Sequence, residues 1–330
     1  MKRAFLFTAA LAALTVAAGV ADAKTLKVSH VRPQGATIDV ELNELATAVD
    51  AATGGDLKLR IFAASALGDY TTVQERISVG AVDMACQPAA TGADRRMQIS
   101  SFPYLAETWA QARSIYGPGG SVRVAMEELY AKQDITMLAA YPVYFGGISL
   151  NRGAVSPGDP EASKGIKVRV PGIKSFQLLG DALGYISSPI PFSEAFTAVQ
   201  TGVVDGVIGS GAEGYYASFR DVTKTYIAAN THFEVWYLII NTETLNDLSD
   251  DDRAGLVKAA ADFEAKRWKT AEADQGRNEQ KLADNGAEII HLSDAELAAS
   301  AKKVRAQVWP EVIEDVGKDW AQGILDKTSM

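Results

Sequence analysis

Cysteine and histidine are scarce in this chain of 330 residues, which contains one cysteine, Cys86, and three histidines. A single cysteine excludes an internal disulfide, so the stability of the fold must come from its hydrophobic core. The histidines, His30, His232 and His291, show no HxxxH spacing, and no CxxC or nucleophile-elbow motif accompanies them. The sequence therefore predicts no metal site and no hydrolytic catalysis.

Basic residues are fewer than acidic ones, with 32 Lys and Arg residues and 41 Asp and Glu residues. The net charge is −9, and no basic stripe interleaved with aromatics is present, so the attraction that drives nucleic-acid binding is missing. Hydrophobic residues make up 47% of the chain and charged residues 22%, which is typical of a globular protein. The length fits two domains.

Long apolar runs are absent except at the N-terminus. Lys2 and Arg3 precede an apolar segment over residues 4–20, and an A-x-A cleavage site follows at residues 21–23. This order predicts a secretory signal peptide over residues 1–23. The segment is at the lower length limit for a membrane span and no basic stop-transfer flank follows it, while the cleavage site lacks a lipoprotein cysteine. We therefore expect a free soluble protein in the periplasm.

Strands and helices alternate in the secondary structure that the first part of the chain predicts. Segments 26–30, 57–62 and 81–86 have the apolar or alternating character of strands, and segments 37–53 and 70–80 have the period of helices. This βαβαβ order predicts an α/β fold with a largely parallel sheet covered by helices.

A second α/β lobe is predicted to begin near residue 147. Residues 249–285 are charged, rich in alanine and free of proline, which predicts one long helix. The other elements predicted in this part of the chain are strands over 135–141 and 166–170 and helices over 175–183 and 193–201.

Two segments carry a resemblance to a known family. The first is KGIKVRVPG, residues 164–172, and the second is PIPFSEAFTAVQTGVVDG, residues 189–206. Together they resemble the signature of the DctP-type extracytoplasmic solute-binding proteins of tripartite ATP-independent periplasmic (TRAP) transporters. The segments LGD at 67–69, ISVGAVDM at 77–84 and FPYL at 102–105 are similar to the first lobe of that family.

The resemblance implies a two-lobed, type II-like periplasmic binding protein whose lobes are linked by crossing strands and a long helix. Residues 24–146 plus 235–274 would form the N-terminal lobe, and residues 147–234 plus 275–330 the C-terminal lobe. The implied function is to capture a small organic acid in the cleft and deliver it to the TRAP permease, as a monomer without enzymatic activity or cofactor. A ligand-sensing subunit of a membrane receptor and an exported enzyme on the same scaffold are the alternatives.

Arg169 is the first candidate ligand-binding residue. In the predicted strand IKVRV, alternation places Arg169 opposite the face that Val168 and Val170 share. A guanidinium can bind a carboxylate through two parallel charge-assisted hydrogen bonds, although a solvated or salt-bridged Arg would satisfy the spacing equally well. The resemblance implies that Arg169, in the KxRVP segment, is the carboxylate clamp of the family.

The chain departs from the family pattern at two contact positions. The stretch YFGGIS over 144–149 lacks the second Arg that many carboxylate-binding members carry before the pair matching Asn151 and Arg152. The stretch VIGSGAE over 207–213 replaces the Gln-Glu-Asn of members that bind sialic acid. The ligand therefore stays open among sugar acids, 2-oxo acids, aromatic acids, sulfonates and C4-dicarboxylates.

The segment GSGAEG over 209–214 also matches the pattern GxGxxG. A dinucleotide fingerprint belongs in the first βαβ unit, whereas this segment lies two-thirds along an exported chain and is followed by two tyrosines. We instead expect the glycines to let the backbone approach a bound solute, with Ser210 and Glu213 offering hydrogen bonds.

Aromatic side chains complete the predicted site. In the strand THFEVWYLIIN, alternation places Trp236 on the face of Glu234, and Trp236, Phe192 and Tyr215 are predicted to form the cleft wall, with core packing as the alternative. The polar candidates from the first lobe are Gln87, after the third predicted strand, and His30, at the end of the first. For His30 a structural role is the alternative. The predicted ligand-binding residues are therefore Arg169, Phe192, Ser210, Glu213, Tyr215, Trp236, Gln87 and His30.

Overall fold

The structure is a computed structural model that describes residues 23–328. The predicted signal peptide lies outside this range except for its last residue. Within residues 23–328, no helix is both long enough and apolar enough to cross a membrane.

The described residues form two β-sheets with helices packed on them. In chain order the strands are β1 (Lys24–Ser29), β2 (Leu57–Phe62), β3 (Met84–Gln87), β4 (Ile135–Phe145), β5 (Gly147–Leu150), β6 (Lys167–Val170), β7 (Ile186–Pro189), β8 (Gly206–Ser210), β9 (Thr225–Ala228), β10 (Phe233–Asn241) and β11 (Glu288–His291). The α-helices are α1 (Thr37–Ala52), α2 (Tyr70–Ser78), α3 (Trp109–Tyr116), α4 (Ser121–Ala131), α5 (Lys174–Ala182), α6 (Phe192–Gln200), α7 (Ala212–Phe219), α8 (Thr242–Asn246), α9 (Asp250–Asp284), α10 (Asp294–Gln307), α11 (Trp309–Val316) and α12 (Lys318–Leu325), and a 3-10 helix spans Arg95–Ser101.

Apolar periodicity explains why the first elements form. Helix α1 buries Ile38, Leu42, Leu45 and Val49, whose three- and four-residue spacing gives one apolar face. Cys86 is buried in β3, as expected for a small apolar side chain in a covered strand.

Each sheet contains both parallel and antiparallel pairs. The first sheet has the order β2-β1-β3-β10-β4, in which β1 runs parallel to β2 and β3 while β10 runs antiparallel to its neighbours. The second sheet has the order β11-β9-β5-β8-β6-β7, in which β6 runs parallel to β7 and β8. In α/β proteins ligands bind beyond the carboxyl ends of parallel strands, so the residues that follow β1 and β6 are candidates for ligand contact.

Two strands and one helix connect the sheets. Strand β4 of the first sheet continues into β5 of the second, and β9 of the second leads to β10 of the first. Helix α9 packs on α1 and β4 of the first lobe and on α7 of the second. This architecture confirms the predicted two-lobed α/β fold with crossing strands and a long linking helix.

Two glycines lie where β4 passes into β5. A Cβ at Gly146 would lie 2.2 Å from the ring of His232, and a Cβ at Gly147 would lie 2.4 Å from the ring of Tyr226. Close packing between the crossing strands therefore requires glycine at both positions.

The lobe boundaries stay a prediction, and the C-terminal helices contact more than one lobe. Helix α10 packs on α5, whereas α11 packs on the 3-10 helix and α12 on α4. The indole of Trp309 donates a hydrogen bond of 2.8 Å to the carbonyl of Pro103 and contacts the ring of Phe102. Helices α11 and α12 thus pack on first-lobe elements, although the sequence predicted residues 275–330 to belong to the second lobe.

Candidate ligand-binding site

Residues from both sheets line a cavity with about 530 Å³ of space, part of it open to solvent. Aromatic rings form much of its wall, and three charged side chains face it. The aromatic residues are Tyr70, Tyr144, Phe176, Phe192 and Trp236, and the charged residues are Arg32, Arg169 and Glu234. Mixed apolar and charged walls suit a small ligand that has an ionised group and an apolar or hydroxylated body.

Arg169 projects into this cavity from β6 and is 1% exposed. Its Nε donates a hydrogen bond of 2.8 Å to the carbonyl of Ile190, and no carboxylate among residues 23–328 forms an ion pair with it. Burial lowers the pKa of Arg169, because desolvation outweighs the opposing electrostatic influence of Tyr70 and Tyr215. The site thus holds a buried cation that lacks a counter-charge.

Arg32, which the sequence analysis did not single out, supplies a second buried guanidinium. It follows β1, and its Nε donates to Oε2 of Glu213 at 2.9 Å. Its Nη2 donates to the hydroxyl groups of Tyr144 at 3.3 Å and Ser210 at 3.4 Å. Burial by itself lowers the pKa of Arg32, but Glu213 and Tyr144 together oppose it more strongly, so the pKa is raised. Unlike Arg169, this cation already has its anion.

Ser210 and Glu213 therefore lie against Arg32 and not among the residues that line the cavity. Strand β8 ends at Ser210, and Glu213 lies in the first turn of α7. Their predicted hydrogen bonds to a ligand stay a prediction. In the structure these two side chains orient a guanidinium of the first lobe from the second lobe.

The glycines of segment 209–214 make room for protein groups. Gly209 has a φ of +97°, and a Cβ there would lie 2.6 Å from Pro171. A Cβ at Gly211 would lie 2.5 Å from the ring of Tyr144, and one at Gly214 would lie 2.3 Å from Nη2 of Arg32. The space that we expected for a solute is thus filled largely by Tyr144 and Arg32, while Gly209 itself lines the cavity.

Replacing Gly214 with Ala is expected to lower the free energy of unfolding by about 1–3 kcal/mol, because the added methyl group overpacks a filled site. Gly276→Ala is the matched control, since Gly276 lies within α9 and a Cβ there meets no atom within 4 Å. The control should raise the free energy of unfolding by about 0.5–1 kcal/mol through helix propensity. Urea denaturation measures both, and equal responses would contradict the close approach of Arg32.

Trp236 and Phe192, both predicted to form the cleft wall, line the cavity, and their contact with a ligand stays a prediction. The Arg32 guanidinium carbon lies 4.8 Å from the ring centroid of Trp236 and 5.1 Å from that of Phe192. The indole Nε1 of Trp236 donates to Oε1 of Glu234 at 2.7 Å, and Oε2 of Glu234 lies 3.0 Å from Nε2 of His232. Strand β10 thus places an aromatic ring and a carboxylate side by side at the cavity.

Tyr215 does not line the cavity. Its ring is fully buried, and its hydroxyl oxygen lies 2.9 Å from the carbonyl of Gly147 and 2.8 Å from that of Val207, so that its one hydrogen can be donated to either. Tyr215 is therefore packed in the core of the second lobe, which was the alternative to its predicted place in the cleft wall.

Gln87 and His30 lie behind the cavity wall. The amide of Gln87 donates to the carbonyl of Tyr70 at 2.7 Å, so it supports a residue that lines the cavity. Nε2 of His30 lies 3.1 Å from Oδ1 of Asp39, and burial lowers the pKa of His30 against the opposing effect of that carboxylate. His30 therefore has a structural role, which was the alternative to ligand binding for this residue. No cluster of three or more metal-ligating side chains occurs among residues 23–328.

The fold and the cavity define a two-lobed solute-binding protein. The family model DctP, described as bacterial extracellular solute-binding protein, family 7, matches residues 28–315. The chain therefore belongs to this family, and the resemblance found in the sequence is confirmed. Family membership also supports the predicted location outside the cytoplasm and assigns the chain to binding proteins and not to an enzyme family.

One relative is the C4-dicarboxylate-binding periplasmic protein DctP of Rhodobacter capsulatus. It is 27% identical over 329 residues, which cover 98% of this chain and 96% of the relative. The structure also resembles DctP7, an extracytoplasmic solute receptor of Bordetella pertussis binding pyroglutamic acid, with a TM-score of 0.83, 22% identity, and coverage of 93% of this chain and 100% of that one.

A second similar structure is the sugar acid binding protein DctPAm of Advenella mimigardefordensis in complex with galactonate. Its TM-score is 0.85 at 19% identity, with 93% of this chain and 98% of that chain covered. At these identities the two likenesses show the fold that the chains share.

Proposed function

We propose that this protein captures a small organic acid in the cavity between its lobes and delivers it to the membrane subunits of a TRAP transporter. The observation that carries the proposal is the state of Arg169, a buried guanidinium at the cavity without an ion pair among the described residues. A buried charge without a partner costs several kcal/mol, and a ligand carboxylate would remove that cost.

The arrangement of charges supports a ligand that places one carboxylate against Arg169. Arg32 is paired with Glu213, so among the residues that line the cavity only Arg169 presents an unpaired guanidinium. Relatives named for C4-dicarboxylates, pyroglutamic acid and galactonate all take carboxylates, which supports a carboxylate here. The aromatic wall would pack on the remainder of the molecule.

The ligand can be sought directly in the purified protein. We expect that denaturing protein purified from its native host releases a carboxylate that mass spectrometry identifies. The same compound, added back to refolded protein, should bind in calorimetry. Release and rebinding of a solute without a carboxylate or comparable anionic group would contradict the proposal.

Arg169→Lys is expected to weaken binding of that carboxylate at least tenfold, or ~1.4 kcal/mol, because lysine keeps the charge but loses the planar fork. Arg152→Lys is the matched control, since Arg152 is 55% exposed on its side chain and lies 3.7 Å from Asp205. The control should leave the dissociation constant unchanged. An unchanged constant in Arg169→Lys would mean that the contact is not bidentate.

A further inference from the structure

We propose that the ligand also carries a protonated nitrogen bound by Glu234, so that the solute is a zwitterion without net charge. This inference rests on the proposed function, because it assumes that Arg169 holds the carboxylate. It adds the chemical class of the ligand at the other charged position of the cavity.

Glu234 has capacity for a donor from the ligand. Glu234 lines the cavity, and 9% of its side chain is exposed. It accepts one hydrogen bond on each oxygen, from Trp236 at 2.7 Å and from His232 at 3.0 Å. An ionised carboxylate offers about four lone-pair positions, so a further donor can be accepted.

No Lys or Arg among residues 23–328 forms an ion pair with Glu234. The donor from Trp236 is neutral. Nδ1 of His232 lies 3.0 Å from the hydroxyl oxygen of Thr231. Both ring nitrogens of His232 thus have protein partners, and the side chains that contact the Glu234 carboxylate are an indole and an imidazole, with no Lys or Arg between them.

Once Arg32 is set aside because it is paired with Glu213, one cation, Arg169, and one anion, Glu234, line the cavity. Arg32 and Glu213 form an ion pair, and Arg169 and Glu234 do not pair with each other. The cavity thus offers a cation and an anion that do not form an ion pair with each other.

A ligand of matching polarity would neutralise both charges. A monoanionic acid would pair with Arg169 but would leave Glu234 without a counter-ion in a cavity that then holds a second anion. A protonated amine at the other end of the ligand would give Glu234 its counter-ion and a charge-assisted hydrogen bond. Preference for the zwitterion follows from this complementarity.

Matched acids test the proposal in calorimetry on refolded protein. The probes are α-, β- and γ-amino acids, each with its hydroxy analogue: alanine and lactate, β-alanine and 3-hydroxypropionate, 4-aminobutyrate and 4-hydroxybutyrate, and phenylalanine and phenyllactate. We expect the tightest binder to be an amino acid, at least tenfold tighter than its hydroxy analogue. A hydroxy acid that binds as tightly as its amino partner, or more tightly, would overturn the proposal.

Glu234→Gln gives a second test with the same probes. We expect affinity for the best amino acid to fall at least tenfold, while affinity for its hydroxy analogue stays the same or rises. Equal losses for both would contradict a charge-specific contact, and the wild-type ratio decides the question should the variant fail to fold.

The two proposals fail in different ways. Tight binding of net anions that requires Arg169 would refute the zwitterion and leave the proposed function standing. Failure of every carboxylate to bind, both these probes and the solute released from native protein, would refute both proposals.

Discussion

Arg169→Ala is expected to abolish detectable binding of the carboxylate ligand while the protein stays folded. Each charge-assisted hydrogen bond is worth roughly 1.5–3 kcal/mol, so losing a bidentate pair removes about 3–6 kcal/mol, or about 10²–10⁴-fold in affinity. Titration calorimetry with the solute released from native protein measures this loss.

The same substitution should leave the stability of ligand-free protein nearly intact. Arg169 is buried without an ion pair, so its removal relieves a desolvation penalty that offsets the lost packing and the lost hydrogen bond to Ile190. We expect a free energy of unfolding within about 1 kcal/mol of the parent, measured in urea. Arg152→Ala, at an exposed site, is the control for both measurements. Near-normal affinity in Arg169→Ala would refute Arg169 as the clamp.

Arg169 could be predicted from sequence because two local signals coincide on it. Alternation in IKVRV places it away from the apolar face, and the KxRVP segment marks it as the clamp of a family. In the structure Arg169 is buried and lines the cavity, while its contact with a ligand stays a prediction.

Arg32 could not be found in the same way. Its partner Glu213 lies 181 residues further along the chain, and no local period connects them. One signal was available, since Arg32 follows the first strand of a parallel sheet, where the carboxyl ends of strands border ligand sites. The family resemblance led us to look for a second Arg within residues 144–149. That stretch has no Arg, and the sequence analysis therefore did not consider Arg32, which the fold brings to the cavity.

Aromatic positions show what alternation can and cannot decide. It assigned Trp236 to the face of Glu234, and both line the cavity. Tyr215 lies in a helix, where the distinction between the cavity and the core behind it depends on tertiary packing. The same holds for Gln87, which ends β3, and for His30, which directly follows β1, because neither residue lines the cavity.

Glu213→Ala should produce the largest loss of stability, about 3–5 kcal/mol in the free energy of unfolding, because it leaves Arg32 as a buried charge without its anion. Arg32 is 1% exposed, and the hydroxyl groups of Tyr144 and Ser210 that remain are neutral. Urea denaturation of ligand-free protein measures the loss. Asp262→Ala is the control, because its pair with Lys258 is exposed on α9 and should contribute only about 0.3–0.5 kcal/mol.

A double variant separates the unpaired charge from lost packing. Arg32→Met with Glu213→Leu removes both charges and keeps apolar volume, and replacing a buried ion pair in this way is often neutral or stabilising. We therefore expect the double variant to be more stable than Glu213→Ala alone, although it removes more of the native contacts. Arg32 follows β1 of the first sheet and Glu213 lies in α7, so recovery would show that this contact between the two parts carries a cost in desolvation. A double variant as unstable as Glu213→Ala would mean that the packing of these side chains, and not their charge balance, stabilises the interface.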